Sequence, residues 1–371
     1  MLPRCPILFV FLATALALGA PRLVRGQKLG SDLAGLNLCL YGDCEARGSY
    51  TADPFGWANP AAMPILVLRY VPRGAFVSGS YFKLNAGGIG TDISSPSLSL
   101  SATPVVLQLT GVYAEGKGFA RSLPGVEITM RTRILRLAAA VDLDGLLPVR
   151  GWAVGLMGSL PVGTSDIRAT SGGFTVLESK EKRTLDLTAG VHWRGGEREW
   201  LMAGAFANGI RDDLTTAGLD PITLSPYHDE GTTDAWFMRE GVSVLPFVPL
   251  GLAAGKEPLA EWLGEIRLGA DLAQTNIAVP GEGGRHKDVA YFGVDARLVP
   301  DAWNPLAQWL RLVLIGGTDT DNGWGIGAGL YGNGPLEFLS CNPAYSSRPM
   351  AKSLGDRVEV WSATCAAALP F

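Results

Sequence analysis

Histidine is the side chain most often used for acid–base chemistry near neutral pH, and this chain of 371 residues contains only His192, His228 and His286. A hydrolase needs a nucleophile, such as serine or aspartate, together with a positioned histidine. None of the three histidines lies in a recognisable hydrolase motif. The sequence therefore predicts a protein that is not an enzyme, and no cofactor is expected.

The cysteines fall into pairs whose spacing suits disulfides better than metal binding. Apart from Cys5 near the start, they are Cys39 with Cys44 and Cys341 with Cys365. Four cysteines allow three connectivities, and we favour these two pairings because they close the shortest loops. Four free buried thiols remain the alternative. A cysteine pair in a chain with so few histidines is a poor zinc site, so no metal is expected.

Charged side chains that could line a channel alternate with apolar ones along segments of about ten residues. In Lys182–Arg194, every second residue is polar, and this face includes Asp186 and His192. The opposite face consists of Leu185, Leu187, Ala189, Val191 and Trp193. Alternation with a period of two predicts a strand with one apolar face.

Two later segments, Glu261–Ala273 and Asp288–Val299, repeat this alternation. If the polar face points into a lumen, the inward candidates on the three segments are Asp186, His192, Glu265, Arg267, Asp295 and Arg297. The simplest role for these side chains is to fill and stabilise an interior, and none of them is singled out as a substrate contact.

The composition is apolar without containing an apolar block. Charged residues make up 18% of the chain and the mean hydropathy is +0.19, yet no run of 18 apolar residues follows the first twenty, so no transmembrane helix is expected. Apolar residues dispersed at every second position are typical of barrels whose outer face contacts lipid. The formal net charge of −4 gives no basic surface for nucleic acid.

We therefore predict an all-β fold, a transmembrane antiparallel β-barrel of about 12–14 strands. Hydrocarbon offers no partner for backbone groups, so a sheet in lipid must close on itself. A soluble periplasmic β-sandwich is the alternative fold.

Three segments depart from simple alternation. Pro258–Ile266 and Pro305–Leu314 also fit helical spacing, although nearby glycines favour strands. In the segment that starts at Glu127, the polar face changes parity after Ile134, which predicts a β-bulge near Leu135 in a strand long enough to extend beyond the membrane.

The chain divides into three parts. Residues 1–26 resemble a secretory signal peptide, with a short apolar core that is too short to span a bilayer. Residues 27–62 have no strand-like period and are predicted to form a plug, and residues 63–371 are predicted to form the barrel. The aromatic C-terminal residue, Phe371, resembles the signal that the barrel assembly machinery of the bacterial outer membrane recognises.

The stretch ADPFGWANPAAMP, at positions 52–64, contains Asp53 and the triplet Asn59-Pro60-Ala61. It resembles the N-terminal hatch motif of the FadL-type long-chain fatty-acid and hydrocarbon transporters. An ordinary Asx-Pro turn leading into a strand is the alternative reading of the same residues.

The resemblance implies a monomeric fourteen-stranded barrel in the outer membrane of a bacterium, surrounded by lipid and plugged by a hatch. It also implies passive uptake of a hydrophobic small molecule, such as a fatty acid or a hydrocarbon. An accessory or structural barrel that serves secretion or surface assembly is the alternative function.

Overall fold

The structure is a computed structural model that describes residues 59–86, 89–119, 125–144, 146–148, 150–160, 165–219, 226–254, 257–279, 283–298, 303, 305–306, 309–332, 339–349 and 357–370. Within these ranges the chain forms one antiparallel sheet. Its strands are β1 (Arg73–Ala86), β2 (Ile89–Ala102), β3 (Val105–Phe119), β4 (Val126–Asp142), β5 (Trp152–Leu160), β6 (Ser165–Ser171), β7 (Phe174–Gly195), β8 (Leu201–Leu219), β9 (Pro226–Val244), β10 (Arg267–Val279), β11 (Gly283–Arg297), β12 (Leu310–Asp319), β13 (Trp324–Gly332), β14 (Leu339–Pro349) and β15 (Arg357–Pro370).

The sheet closes on itself because β1 pairs with both β2 and β15. β5 and β6 both lie between β4 and β7 and pair with different stretches of them, so together they fill one position in the wall. The result is a closed antiparallel barrel with 14 strand positions. This confirms the fold class and the strand number that the sequence predicts. We call the rim where β1 begins and β15 ends the terminal rim, and the other the opposite rim.

Side chains alternate between the interior and the outer face along the strands. On β7, Leu187 is 51% exposed and its neighbour Thr188 is 2% exposed. On β3, Leu107 and Leu109 are exposed and Gln108 between them is buried. An apolar outer face with polar residues inside is the pattern expected where the solvent outside is lipid.

The predicted bulge near Leu135 is wrong. β4 keeps one register with β3 from Val105↔Val141 to Phe119↔Glu127, so one parity of β4 faces inward throughout. The chemistry of the two faces changes instead. Towards the opposite rim, Arg131 points outward and Ile128 inward, because that part of the strand is outside the apolar band and its outer face contacts water.

The pairing irregularities lie in neighbouring strands. The register between β7 and β8 shifts between Arg183 and Leu185. A second shift occurs between Ala169 and Thr170, where β6 pairs with β7. Such bulges bend a strand and increase its local twist.

The predicted strand Glu261–Ala273 begins later than the sequence indicates. Residues Pro258–Leu263 form a short helix, and β10 starts only at Arg267. Pro258 is at the start of the helix, where a missing N–H costs nothing, and the N–H of Gly264 bonds to the carbonyl of Ala260. The glycine that favours a strand by propensity therefore ends a helix here. Glu265, predicted to lie on a strand, is in the connection between β9 and β10.

The segment Pro305–Leu314 is divided between a turn and a strand. The N–H groups of Trp309 and Leu310 both bond to the carbonyl of Leu306 at 2.8 Å, and β12 begins at Leu310. Neither the full helix nor the full strand of the two sequence interpretations is present.

Ahead of β1 the chain is helical. Pro60–Ala62 form a 3-10 turn, followed by α1 (Met63–Tyr70). The sequence predicts that the barrel starts at Met63, but the first strand starts at Arg73. Pro64 suits the first turn of a helix, and Pro72 disfavours helical backbone at Val71. No helix among the described residues is long and apolar enough to cross a membrane.

Candidate functional site: the barrel interior

Asn59 holds the start of the described chain against the inner wall. Its side chain is completely buried, and its Nδ2 donates to the carbonyl oxygen of Val191 on β7 at 2.9 Å. Its Oδ1 accepts from the N–H of Ala61 at 3.0 Å and so caps the 3-10 turn. The amide thus satisfies one group of the wall and one of its own turn, as an N-cap asparagine does.

Two facing glycines make room for this contact. Gly155 on β5 is paired with Gly190 on β7, and both point inward. A Cβ added at Gly155 would lie 2.6 Å from the backbone carbon of Pro60, and one added at Gly190 would lie 2.1 Å from Asn59 Oδ1. Any larger side chain at either position would collide with the turn. We call this pair the glycine window.

α1 continues from this turn across the inner wall near the terminal rim. Val67 and Val71 are fully buried and belong to one apolar cluster with wall residues of β1, β3, β4, β5 and β15. Those wall residues are Phe76, Val106, Ala138, Ala140, Met157 and Ala368. The hydroxyl of Ser101 donates to the carbonyl of Val71, which fixes the exit of the helix into β1.

Asp186, one of the predicted inward residues, is at the centre of a buried polar cluster. Arg136 approaches it at 3.3 Å, and both side chains are almost inaccessible. Asn208 donates to Asp186 Oδ1 at 2.9 Å and to Thr188 Oγ1 at 2.8 Å, while Ser159 donates to Asp186 Oδ2. The members of this cluster come from four strands, β4, β5, β7 and β8, so it joins them across the inner wall. Removing one partner of the ion pair would leave an uncompensated buried charge.

A second polar cluster lies on the other side of the interior. Arg239 donates to Asp271 at 2.9 Å, and Arg348 donates to Asp319 at 2.6 Å. The guanidinium groups of both arginines lie over the ring of Tyr291, at 4.5 and 5.3 Å from its centroid. Because each arginine has its own aspartate, this cluster carries no net charge.

The remaining inward candidates lie on one side of the terminal rim. Arg267 and Asp295 are opposite each other in the β10–β11 register, and Arg267 donates to Ser243 at 3.1 Å. Arg297 is buried and pairs with Glu261 at 2.9 Å and with Glu265. Glu265 therefore reaches the interior from a connection, and not from the strand on which it was predicted.

His192 lies on the inner face of β7 and is fully buried. In the register it is paired with Gly204 on β8 and with Ala153 on β5. Among the residues that the structure describes, no group of three or more His, Cys, Asp or Glu side chains could hold a metal ion.

Towards the opposite rim, the inner face of β1–β4 is mostly apolar. The buried apolar side chains that point inward there are Phe82, Leu84, Ile89, Ile93, Val112, Ala114 and Ile128, and the hydroxyl-bearing Thr91 and Thr132 are buried among them. In a water-filled pore these positions would be polar. The two charged clusters lie elsewhere on the inner wall, one on β4–β8 and the other on β9–β14.

Near the terminal rim, Arg194 connects the end of β7 to the end of β4 and to the loop that follows it. It donates to Asp142 and Asp144, each at 2.9 Å. Desolvation opposes ionisation of Asp144, but the hydrogen bond from Gly151 and the bond and charge of Arg194 outweigh it, so the pKa of Asp144 is lowered. Gly151 has a positive φ of 79°, and a Cβ there would lie 1.9 Å from the carbonyl oxygen of Arg194.

The predicted Cys341–Cys365 disulfide is present and joins directly opposed residues of β14 and β15. The Cys39–Cys44 pair and Asp53 lie outside the described residues, as do the predicted signal segment and most of the predicted plug.

A search for relatives by sequence finds none: no protein-family model matches the chain, and no curated protein is similar to it. By structure, the chain resembles a Pseudomonas aeruginosa FadL homologue, with a TM-score of 0.50 and 11% identity, over 87% of this chain and 96% of that one. The CymD monoaromatic hydrocarbon channel is similar with a TM-score of 0.45 and 9% identity, over 84% and 92% of the two chains. The Ralstonia pickettii toluene transporter TbuX has a TM-score of 0.44 and 8% identity, over 88% and 96%.

The closed wall and its apolar outer face define a transmembrane β-barrel. Within that class the fold is of the FadL type. The sequence resembles that family in about fifteen residues, whereas the fold resembles it over most of the chain.

Sequence reasoning missed the residues that receive the Asn59 turn. Gly190 lies on the polar face of the strand that alternation identified, but a glycine on that face gives no sign of what contacts it. Gly155 and Arg136 are on segments whose pairing partners the sequence does not reveal. The signal that could have found the window is an inward glycine in each of two strands, and it is useful only once the register is known.

Proposed function

We propose that the protein is an outer-membrane channel for the passive uptake of hydrophobic small molecules, such as fatty acids or hydrocarbons. The apolar lining inside β1–β4 carries this proposal. Apolar molecules gain free energy by leaving water for such a surface, roughly 25 cal/mol for each Å² that is buried. A pore for ions or sugars would gain nothing from it.

The charged clusters of the interior are consistent with a cargo that is held by its apolar part. Arg239 and Arg348 are each paired with an aspartate, and Arg136 is paired with Asp186. Paired charges stabilise the wall without creating a field that would concentrate ions of one sign.

We further propose that residues 27–62 form a hatch and that the glycine window is its docking site. The contact of Asn59 with Val191 supports this, because it fixes the described end of the segment on the inner wall. A monomer in the outer membrane, inserted by the barrel assembly machinery, completes the proposal.

Two threonine substitutions on the same strand test the uptake. Val112 is fully buried on the inner face of β3, and Val105 is on the outer face. Val112→Thr adds a hydroxyl to the apolar lining, where an unpaired hydroxyl costs about 1–3 kcal/mol. Val105→Thr adds the same hydroxyl group to the exposed outer face of β3.

The measurement is the initial rate at which cells take up a labelled fatty acid and a labelled aromatic hydrocarbon. We expect the native protein to increase both rates over cells without it, Val112→Thr to decrease uptake about tenfold, and Val105→Thr to match the native protein. If the native protein changes neither rate across such a panel, the channel proposal is wrong and the accessory barrel is favoured.

A further inference from the structure

A groove of about 590 Å³ lies on the outer wall, across strands β7 to β11. Its small outward residues are Ala203, Ala205, Ala270 and Ala290. Trp152, Trp193 and Phe292 project beside them and form its edges. A hollow of this size is within the range of pockets that hold small molecules, roughly 300–1,000 Å³.

One carboxylate, Glu240 on β9, opens into this groove. In the register it lies between Ala205 on β8 and Leu272 on β10. Among the described residues it forms no hydrogen bond and no ion pair. Its exposed side chain therefore faces the surroundings of the barrel and not another part of the wall.

Glu240 is also in the middle of the apolar band of its strand. The apolar outward residues of β9 run from Trp236 to Val244, with Glu240 four residues from each end. Ionisable groups at the lipid face are unfavourable, and where they occur they indicate a functional site with a partner of opposite charge. A carboxylate surrounded by apolar surface calls for a cation attached to an apolar body.

The shape of the groove argues against a second copy of the chain as that partner. A two-fold interface places the same patch of each copy against the other. Two hollows edged by tryptophan and phenylalanine would then face each other and leave the small residues uncovered. Glu240 would also meet its own counterpart, with charge of the same sign.

We propose that this groove binds a hydrophobic amine, a molecule with one ammonium group and an apolar body. The ammonium donates hydrogen bonds to the Glu240 carboxylate, and the apolar body lies along the alanines between the aromatic edges. The site is on the outer wall, whereas the proposed uptake uses the interior, so either proposal can fail without the other.

Equilibrium dialysis of radiolabelled dodecylamine against nanodiscs that carry the full chain tests this site, with empty nanodiscs to subtract partitioning into lipid. Dodecanol is the comparison probe, since it has the same chain and no charge. Glu240→Gln removes the charge, and Ala205→Leu fills the groove. Ala207→Leu is the matched control, because Ala207 follows on the same face of β8 but does not line the groove.

We expect saturable binding of dodecylamine by the native chain and by Ala207→Leu. Glu240→Gln should weaken it about 10- to 100-fold, as expected for loss of a charged hydrogen bond, and Ala205→Leu should abolish it. Dodecanol should bind weakly and equally to the native chain and to Glu240→Gln. Equal dodecylamine binding by all four proteins would overturn the proposal. So would a change in oligomeric state on Glu240→Gln, which would assign the groove to a protein partner.

Discussion

Replacing Gly190 by alanine tests whether the glycine window holds the proposed hatch. The added Cβ would lie 2.1 Å from Asn59 Oδ1 and 3.1 Å from Pro60 Cδ. Neither atom can rotate away alone, because Oδ1 caps the turn and Nδ2 of the same amide binds Val191. The whole turn must therefore move off the wall.

The cost follows from the two hydrogen bonds of Asn59. When the turn moves, the carbonyl of Val191 loses a donor and the N–H of Ala61 loses an acceptor. Each unsatisfied group costs about 1–3 kcal/mol, so the two together weaken docking by about 2–6 kcal/mol. If the docked and undocked states are in equilibrium, the ratio of undocked to docked protein rises by a factor of about 30 to 20,000.

Single-channel conductance in planar bilayers measures this shift. Gly190→Ala and Gly155→Ala should open far more often than the native protein, and Asn59→Ala should resemble them because it removes the same bonds. Gly209→Ala is the control, since a Cβ there has no atom within 4 Å. Unchanged opening in Gly190→Ala, in a barrel that still migrates as folded on a gel, would refute the docking role of the window.

Three other perturbations test the wall and its rim. Leu187→Arg places a charge on the lipid face and should lower the free energy of unfolding in urea by about 2–4 kcal/mol. Thr232→Arg, at an exposed site beside Asp213, should change this free energy little. Equal effects of the two substitutions would contradict the assigned faces. Arg136→Met leaves Asp186 buried without its cation and should cost about 3–5 kcal/mol, most of which the added Asp186→Leu change should restore. The pKa of Asp144 is lower in the folded protein than in the unfolded chain, so the ionised carboxylate stabilises the fold above the ordinary aspartate pKa. This stabilisation is lost as the pH falls below about 4 and the carboxylate is protonated. The amide resonance of Gly151, followed by NMR from pH 6 downward, should report that loss, and Asp144→Asn should show no such transition.

Local alternation identified individual strands well where one face contacts lipid and the other the interior. β7 and β11 are such cases, since the solvent on each side differs and the sequence reflects that difference. The prediction was wrong on β4, where a change in the surrounding solvent from lipid to water reverses which face is apolar. A reversal of this kind looks like a bulge when only the sequence is read.

The segments around Met63 and Pro258 show how tertiary context overrides local pattern. The sequence predicts that the barrel begins at Met63, yet Met63–Tyr70 is a helix, and its residues Met63 and Val67 pack in an apolar cluster with side chains of the inner wall. Pro258–Leu263 is a helix although glycines follow it, because one of them closes the helix. For Met63–Tyr70 the packing partners come from strands that are distant in the sequence, whereas the bond that closes Pro258–Leu263 is local.

The sequence by itself predicted a membrane barrel over a soluble β-sandwich, because apolar residues dispersed at every second position suit lipid outside and polar groups inside. It also indicated Asn59-Pro60-Ala61 as a hatch motif, with a turn that leads into a strand as the alternative, whereas the structure shows a 3-10 turn that leads into a helix. The tertiary structure alone decided what that turn touches, because Gly155 and Gly190 become neighbours only through the register of β5 and β7. The same is true of Glu240, whose isolation on the outer wall depends on which residues of β8 and β10 lie beside it. Register depends on the sum of contacts around a closed sheet, and no single segment encodes it.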